Sequence, residues 1–224
     1  MYLAIEGVIG VGKTTLARLL QASFEADLLL EVFEENPFLS DFYSDRQRYA
    51  FQTQIFFLLS RYHQQRRVVS DVLASGKSVI ADYTFEKDAL FASINLRGDE
   101  LEMYYKVHEA LAEKVVPPDL VVYLRADTKV LMQRIAFRDR PYERNMELAY
   151  IEDLNKAYNE FFNDHQNRRS PVLVIDTNNL DFVHRMEDLR WTTNRIRQAL
   201  KLGPFQPELP LEMLDEQESQ PGQE

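Results

Sequence analysis

Residues 7–14 read GVIGVGKT, directly behind the apolar run YLAIE (residues 2–6) and ahead of TTLARLLQASF (residues 14–24). Glycine serves where the backbone must take torsions closed to other residues or come very close to another group. The spacing G-x-x-x-x-G-K-T sets that freedom between a strand and a helix whose Leu16, Leu19, Leu20 and Phe24 share one face. A loop in that position turns successive backbone N–H groups, and the positive end of the helix behind it, onto phosphate oxygens. Lys13 then reaches the outer phosphates and the Thr14 hydroxyl takes a place on Mg²⁺. A simple strand-to-helix turn needs neither of those two side chains. The stretch Gly7, Val8, Ile9, Gly10, Val11, Gly12, Lys13, Thr14 and Thr15 is therefore expected to bind a nucleotide through its phosphates.

Working outward, short aliphatic runs recur at residues 28–33 (LLLEVF), 78–82 (SVIAD), 120–124 (LVVYL) and 172–176 (VLVID). Their near-continuous apolar character suits strands covered on both faces. Five such runs alternating with helices predict an α/β fold with a parallel sheet. In such sheets ligands sit beyond the carboxyl ends of the strands, where this chain has Glu6, Glu31, Asp82, Arg125 and Asp176. Between the strands, Phe51, Ile55, Leu58, Leu59 and Tyr62 fall at helical spacing and predict one helix over residues 49–73, with Gly76 as its stop. Further helices are expected over residues 103–116 and 147–162.

The composition bounds the rest. With 224 residues and 45% hydrophobic content the chain is expected to build one substantial domain over residues 1–203. Residues 204–224, PFQPELPLEMLDEQESQPGQE, combine four prolines with many acids and read as an acidic, proline-rich mobile tail. No run reaches the roughly twenty apolar residues that cross a bilayer, and the first residues enter a strand at once, so a cytoplasmic protein without signal peptide or membrane contact is expected. With no cysteine, disulfides and thiolate metal sites are excluded, and His63, His108, His165 and His184 show no metal-ligand spacing. The formal net charge of −10 repels polyanions and argues against a nucleic-acid partner.

Three clusters carry further chemistry. In ADYTFEKD (residues 81–88), Asp82 ends a strand beside the expected phosphate site, where a carboxylate holds Mg²⁺ or accepts a proton from an attacking hydroxyl. In EVFEENPFLSDFYSD (residues 31–45), Val32 and Phe33 suggest that Glu31 is partly buried, which would raise its proton affinity and suit it to a base role. In RIAFRDRPYER (residues 134–144), Arg134, Arg138 and Arg140 suit a loop that folds over the donor's phosphates and supplies positive charge during transfer.

Taken in order, GVIGVGKT, EVFEENPFLSDFY, FQTQIFFLLSR, ADYTFEKDALFA, RIAFRDRPYE and VLVIDTNNLDF resemble the deoxynucleoside kinases, most closely the bacterial deoxyguanosine and deoxyadenosine kinases, over residues 1 to about 200. The resemblance implies a P-loop NTPase-type three-layer sandwich with a five-stranded parallel sheet flanked by helices. It implies transfer of the γ-phosphate of ATP, with Mg²⁺, to the 5′-hydroxyl of a purine deoxynucleoside, and a homodimer joined through long helices. It puts Glu31 beside the 5′-hydroxyl, Tyr43 and Glu143 on the sugar 3′-hydroxyl, and Gln54 on the base, with Arg61 and Asp88 tuning base choice. Arg134, Arg138 and Arg140 match the lid, Asp176 falls in the last motif on the donor side, and Thr14 with Asp82 matches the metal side. Where the family often has acid-Arg-Ser/Thr after the third strand, this chain has Asp82, Tyr83 and Thr84. Tyr83 thus occupies a substrate-side position without the arginine's charge, and either Lys87 or a lid arginine is left to replace it. A thymidylate kinase-like or deoxycytidine kinase-like enzyme, or a non-catalytic homologue, is the alternative.

Overall fold

The computed structural model describes residues 1–144, 146–163 and 169–204, apart from the side chain of Glu34. All but the first residue of the expected tail lies outside the described residues. In chain order the main elements are β1 (Tyr2–Glu6), α1 (Lys13–Phe24), β2 (Ala26–Leu29), α2 (Leu39–Ser44), α3 (Arg46–Gln64), α4 (Ser70–Ala74) and β3 (Ser78–Ala81). They continue with α5 (Lys87–Asn95), α6 (Gly98–Ala112), β4 (Leu120–Arg125), α7 (Thr128–Arg138), α8 (Leu148–Asn163), β5 (Val172–Asp176) and α9 (Met186–Ala199). The five strands form one parallel sheet in the order β2-β3-β1-β4-β5. β1 lies at its centre and is buried at every position, as its unbroken apolar run requires. Helices flank the sheet: α1 and α9 touch each other, and α5 is packed among α3, α6 and α8. Among the described residues no helix is long and apolar enough to cross a membrane.

Three elements differ from the sequence reading, one of them by its bounds alone: the helix expected over residues 103–116 is α6, Gly98–Ala112. The second strand covers Ala26–Leu29, not residues 28–33. Glu25 takes a left-handed conformation (φ 47°) behind α1 and delivers the chain to the sheet at once. β2 is an edge strand, so the half-buried Asp27 is tolerated. It ends where β3 ends, because beyond Ala81 the Asp82 carboxylate captures the Glu31 N–H at 2.8 Å. The single helix expected over residues 49–73 is instead α3, a π-helical turn over Gln65–Val69, and α4. α3 starts earlier than expected because Asp45 caps it, its carboxylate accepting the Arg48 N–H at 3.2 Å. The chain stops after α4 at Gly76, whose φ of 78° suits glycine.

Candidate active site

The glycine loop closes the carboxyl end of β1 against α7. Gly10 has φ 88°, and a Cβ there would sit 2.7 Å from Ile135 Cγ1 and 2.9 Å from the Leu131 carbonyl oxygen. Gly12, at φ 105°, turns the chain into α1. Lys13 folds back across the loop and donates to the carbonyl oxygens of Gly7 (2.7 Å) and Val8 (3.2 Å). Burial, reinforced by the charge of Lys87, pushes its pKa down to about 8 against the pull of Glu6, Glu31 and Asp82. Beneath the loop, the fully buried Glu6 carboxylate accepts the N–H groups of Gly7 (3.1 Å) and Thr84 (2.6 Å) and hydroxyls from Thr84 (3.1 Å) and Tyr158 (3.3 Å). This ties the phosphate loop to the segment that follows β3.

That segment begins with Asp82, whose two oxygens look in different directions. Oδ2 accepts the Thr14 hydroxyl, and Oδ1 accepts the Glu31 N–H. Thr14 Oγ1 and Asp82 Oδ2 are adjacent hard oxygen donors, a set that fits Mg²⁺. Glu31, 17% exposed, is clamped from two sides. The Arg61 guanidinium grips Oε1, with Nε at 2.7 Å, and the Lys87 ammonium donates to Oε2 at 3.0 Å. Asp88 in turn pairs with the far side of Arg61. Burial alone would raise the Glu31 pKa, as its apolar neighbours suggest from sequence. The two cations outweigh burial and hold the carboxyl well below its usual range. Glu31 is therefore ionised and already placed, rather than held as a strong base by an apolar pocket.

One cavity connects these groups to Arg138 and Arg140. Its lining includes Ile9, Gly10, Lys13 and Thr14 of the loop region, Glu31, Arg61 and Asp82, and Tyr43, Gln54 and Glu143. Gln54 is 3% exposed on α3, and no described residue takes its amide. Glu143, carried on a short 3₁₀ turn (Pro141–Glu143) behind α7, holds Arg138 in a two-point pair at 2.7 and 2.5 Å. Arg140 stacks on the Phe33 ring at 4.3 Å, and Tyr142 stacks on Tyr43 and meets Phe33 at a tilt. Burial raises the Tyr43 pKa well above its ordinary value, and the neighbouring Tyr150 and Glu143 add to it.

Of the nominated residues outside the glycine loop, four stand apart from this cavity, and within the loop Gly7, Val8, Val11, Gly12 and Thr15 do not line it. Tyr83 is fully buried behind it and donates its hydroxyl to Gln64 at 2.8 Å. Asp88 lies behind Arg61, and Asp176 at the end of β5 pairs with Arg125 at 3.3 Å near the surface. Arg134 binds the carbonyl oxygens of Val11 (3.3 Å), Thr177 (2.6 Å) and Leu180 (3.4 Å), stitching the glycine loop to the segment behind β5. Lys87, one of the two sequence candidates to replace the family's arginine charge, lines the cavity, whereas the aromatic wall of Phe33, Phe57 and Tyr142 is not foreshadowed in the sequence. The wall is legible only as a cluster of aromatics spread over three distant segments. Lys87 stands at the head of the helix KDALFASIN.

Comparison with known proteins gives a consistent result. The family model for deoxynucleoside kinase matches residues 3–201. The deoxyguanosine kinase of Bacillus subtilis (strain 168) is 34% identical over 201 residues, which span 89% of this chain and 97% of that protein. The deoxyadenosine kinase of Dictyostelium discoideum is 33% identical over 180 residues, or 78% of this chain and 71% of the relative. Among solved structures, that of deoxyadenosine kinase from M. mycoides with bound dATP superimposes with a TM-score of 0.76 at 27% identity, covering 88% of this chain and 99% of the other. The central phosphate loop, the parallel sheet order and this match over nearly the whole described chain lead to one assignment: the protein belongs to the deoxynucleoside kinase family.

Proposed function

We propose that this enzyme transfers the γ-phosphate of ATP, with Mg²⁺, to the 5′-hydroxyl of deoxyguanosine or deoxyadenosine, in nucleotide salvage. The observation that carries the reading is that one cavity is lined by Lys13, Glu31 and Gln54, residues suited to phosphate, to a proton and to a base edge. The nucleoside enters with its base edge at the Gln54 amide, which can donate and accept at adjacent ring atoms. Its 3′-hydroxyl lies at Tyr43 and Glu143. Its 5′-hydroxyl meets Glu31, whose carboxylate is held by Arg61 and Lys87. The donor's phosphates lie on the loop Gly7–Thr14 and Lys13. As the 5′-oxygen attacks, its O–H bond breaks toward Glu31, the new O–P bond forms, and the bond between the β–γ bridging oxygen and phosphorus breaks, leaving ADP. Thr14 and Asp82 would hold Mg²⁺, which neutralises charge on the β- and γ-phosphate oxygens. Arg138 and Arg140 add positive charge from the lid as negative charge redistributes.

The purine preference rests on Gln54 with Arg61 and on the names of the similar proteins, deoxyguanosine and deoxyadenosine kinases. Deoxycytidine is a second acceptor to test, because a solved deoxyadenosine kinase from M. mycoides carries bound dCTP. A homodimer completes the reading, supported by apolar side chains left exposed on α3 (Leu59) and α6 (Met103, Tyr105). The decisive experiment is a rate measurement on the four deoxynucleosides with ATP and Mg²⁺. A purine deoxynucleoside is expected to be the best acceptor; thymidine as the best would overturn the purine assignment, and no turnover on any would overturn the whole reading.

A further inference from the structure

Lys87 is placed against electrostatic preference three times over. It is the first residue of α5, where the helix dipole is positive and acids are the stabilising residues. Its side chain is almost wholly buried, 3% exposed, which strips water from an ammonium at high cost. It also acts on Lys13 across the cavity, where its charge adds to burial in depressing that ammonium's proton affinity. Its compensation is small. Aromatic rings stand on two sides, Tyr83 at 5.7 Å and Phe91 at 5.9 Å from the nitrogen to the ring centres. Among the described residues the one carboxylate it reaches is Glu31, and that carboxylate is shared with Arg61. Arg61 has a second carboxylate in Asp88; Lys87 has none. Two ammoniums that line one cavity and repel each other form an arrangement that an anion between them would stabilise.

We infer that Lys87 is a catalytic cation of the acceptor side: its ammonium, parked on Glu31 in the resting site, turns to the oxygens of the transferring phosphoryl group, opposite Lys13. The inference rests on the proposed placing of the 5′-hydroxyl at Glu31. When that hydroxyl gives its proton to Glu31, the carboxylate charge that held Lys87 is neutralised. The ammonium keeps its own proton and finds a new anionic partner in the phosphoryl oxygens, then in the phosphate ester formed. Lys87 thus compensates charge twice in one turnover, first on the proton acceptor and then on the product. Tyr83 does not supply this charge: a phenol carries no positive charge, and its hydroxyl donates to Gln64.

The test compares Lys87→Met, which keeps the length without the charge, with Lys87→Arg, which keeps a charge. Lys87→Met is expected to lower kcat on the order of 10²-fold, the usual loss for one stabilising group at a transition state, while KM for both substrates stays within about threefold. Lys87→Arg should recover most of that loss. A second measurement is independent of turnover: binding of ADP, Mg²⁺ and fluoroaluminate, whose planar metal fluoride mimics the phosphoryl in flight, together with the best deoxynucleoside of the panel. Lys87→Met should weaken that complex strongly and leave binding of the deoxynucleoside alone unchanged. A variant with near-normal kcat, or one that loses only substrate affinity and binds the mimic normally, overturns the inference. Failure of the underlying reading shows separately: Glu31→Gln with normal turnover removes Glu31 as proton acceptor, whatever Lys87→Met does.

Discussion

Glu31 and Asp82 are joined by one hydrogen bond, from the Glu31 N–H to Asp82 Oδ1, yet their carboxylates face different neighbours: two cations for Glu31, the Thr14 hydroxyl for Asp82. That difference predicts different responses to metal. Glu31→Gln keeps the size and part of the hydrogen bonding but cannot accept the proton, so kcat should fall on the order of 10²-fold or more, with little change in nucleoside binding and no recovery in excess Mg²⁺. Asp82→Asn should raise the Mg²⁺ concentration for half-maximal rate and regain part of its activity when Mg²⁺ is raised. Rates against Mg²⁺ for both variants check this; rescue of Glu31→Gln and not of Asp82→Asn would reverse the two roles. Lys13→Ala should cost on the order of 10²-fold or more in kcat, with the fold retained by circular dichroism, because its ammonium bridges loop carbonyls at the cavity rather than packing in the core. Residues of this kind differ in how far their sequence betrays them. Lys13 and Thr14 sit in a local motif whose geometry is set within eight residues. The state of Glu31 depends on Arg61 and Lys87, thirty and fifty-six positions away, and burial without those cations points in the wrong direction.

At the scale of elements, helix and strand positions followed from apolar period, while their ends followed from partners. β2 stops at Leu29 because Asp82 takes the next useful N–H, a contact from another strand that no local pattern announces. α3 gives way to a π-helical turn directly after Gln64, the residue that accepts the Tyr83 hydroxyl. The packing of α6 on α5 yields a further prediction. His108 of α6 stacks on Phe85 at 4.8 Å and on Tyr104 at 6.2 Å, and its Nε2 lies 3.3 Å from the Phe85 carbonyl oxygen. Burial lowers its pKa below 6.5, more than that carbonyl restores. The unfolded chain therefore binds the proton more readily than the folded one, and His108 makes the protein less stable as pH falls through 6.5. Urea unfolding of the parent and of His108→Gln between pH 7.5 and 5.5 should show a shallower loss of stability in the variant over that window; equal slopes would refute the sign.

For the whole molecule, the expected assembly is a homodimer, and sedimentation equilibrium at micromolar concentration should return twice the 26.3 kDa chain mass. Charged substitutions at Leu59 and Met103, both exposed on the helices proposed to pair, should shift the enzyme toward monomer; a parent that sediments as a monomer would remove the proposal. The sequence by itself determined the parallel α/β architecture, since five apolar runs alternating with amphipathic segments admit few other layers, and it determined the glycine loop proposed to hold phosphate, since eight contiguous residues carry its torsions, amides and lysine. Family membership was legible too, because six motifs keep their order along the chain. Tertiary structure alone decided which charges surround Glu31 and the arginines near it. Arg61 and Lys87 converge on Glu31 from two helices, Arg138 is held by Glu143 across a turn, and Arg134 is spent on backbone carbonyls of the glycine loop and the segment behind β5. The physical reason is range: backbone geometry is set by neighbours within a few residues, whereas the charge state and reach of a buried ionisable group are set by whichever charges the fold brings within a few ångströms.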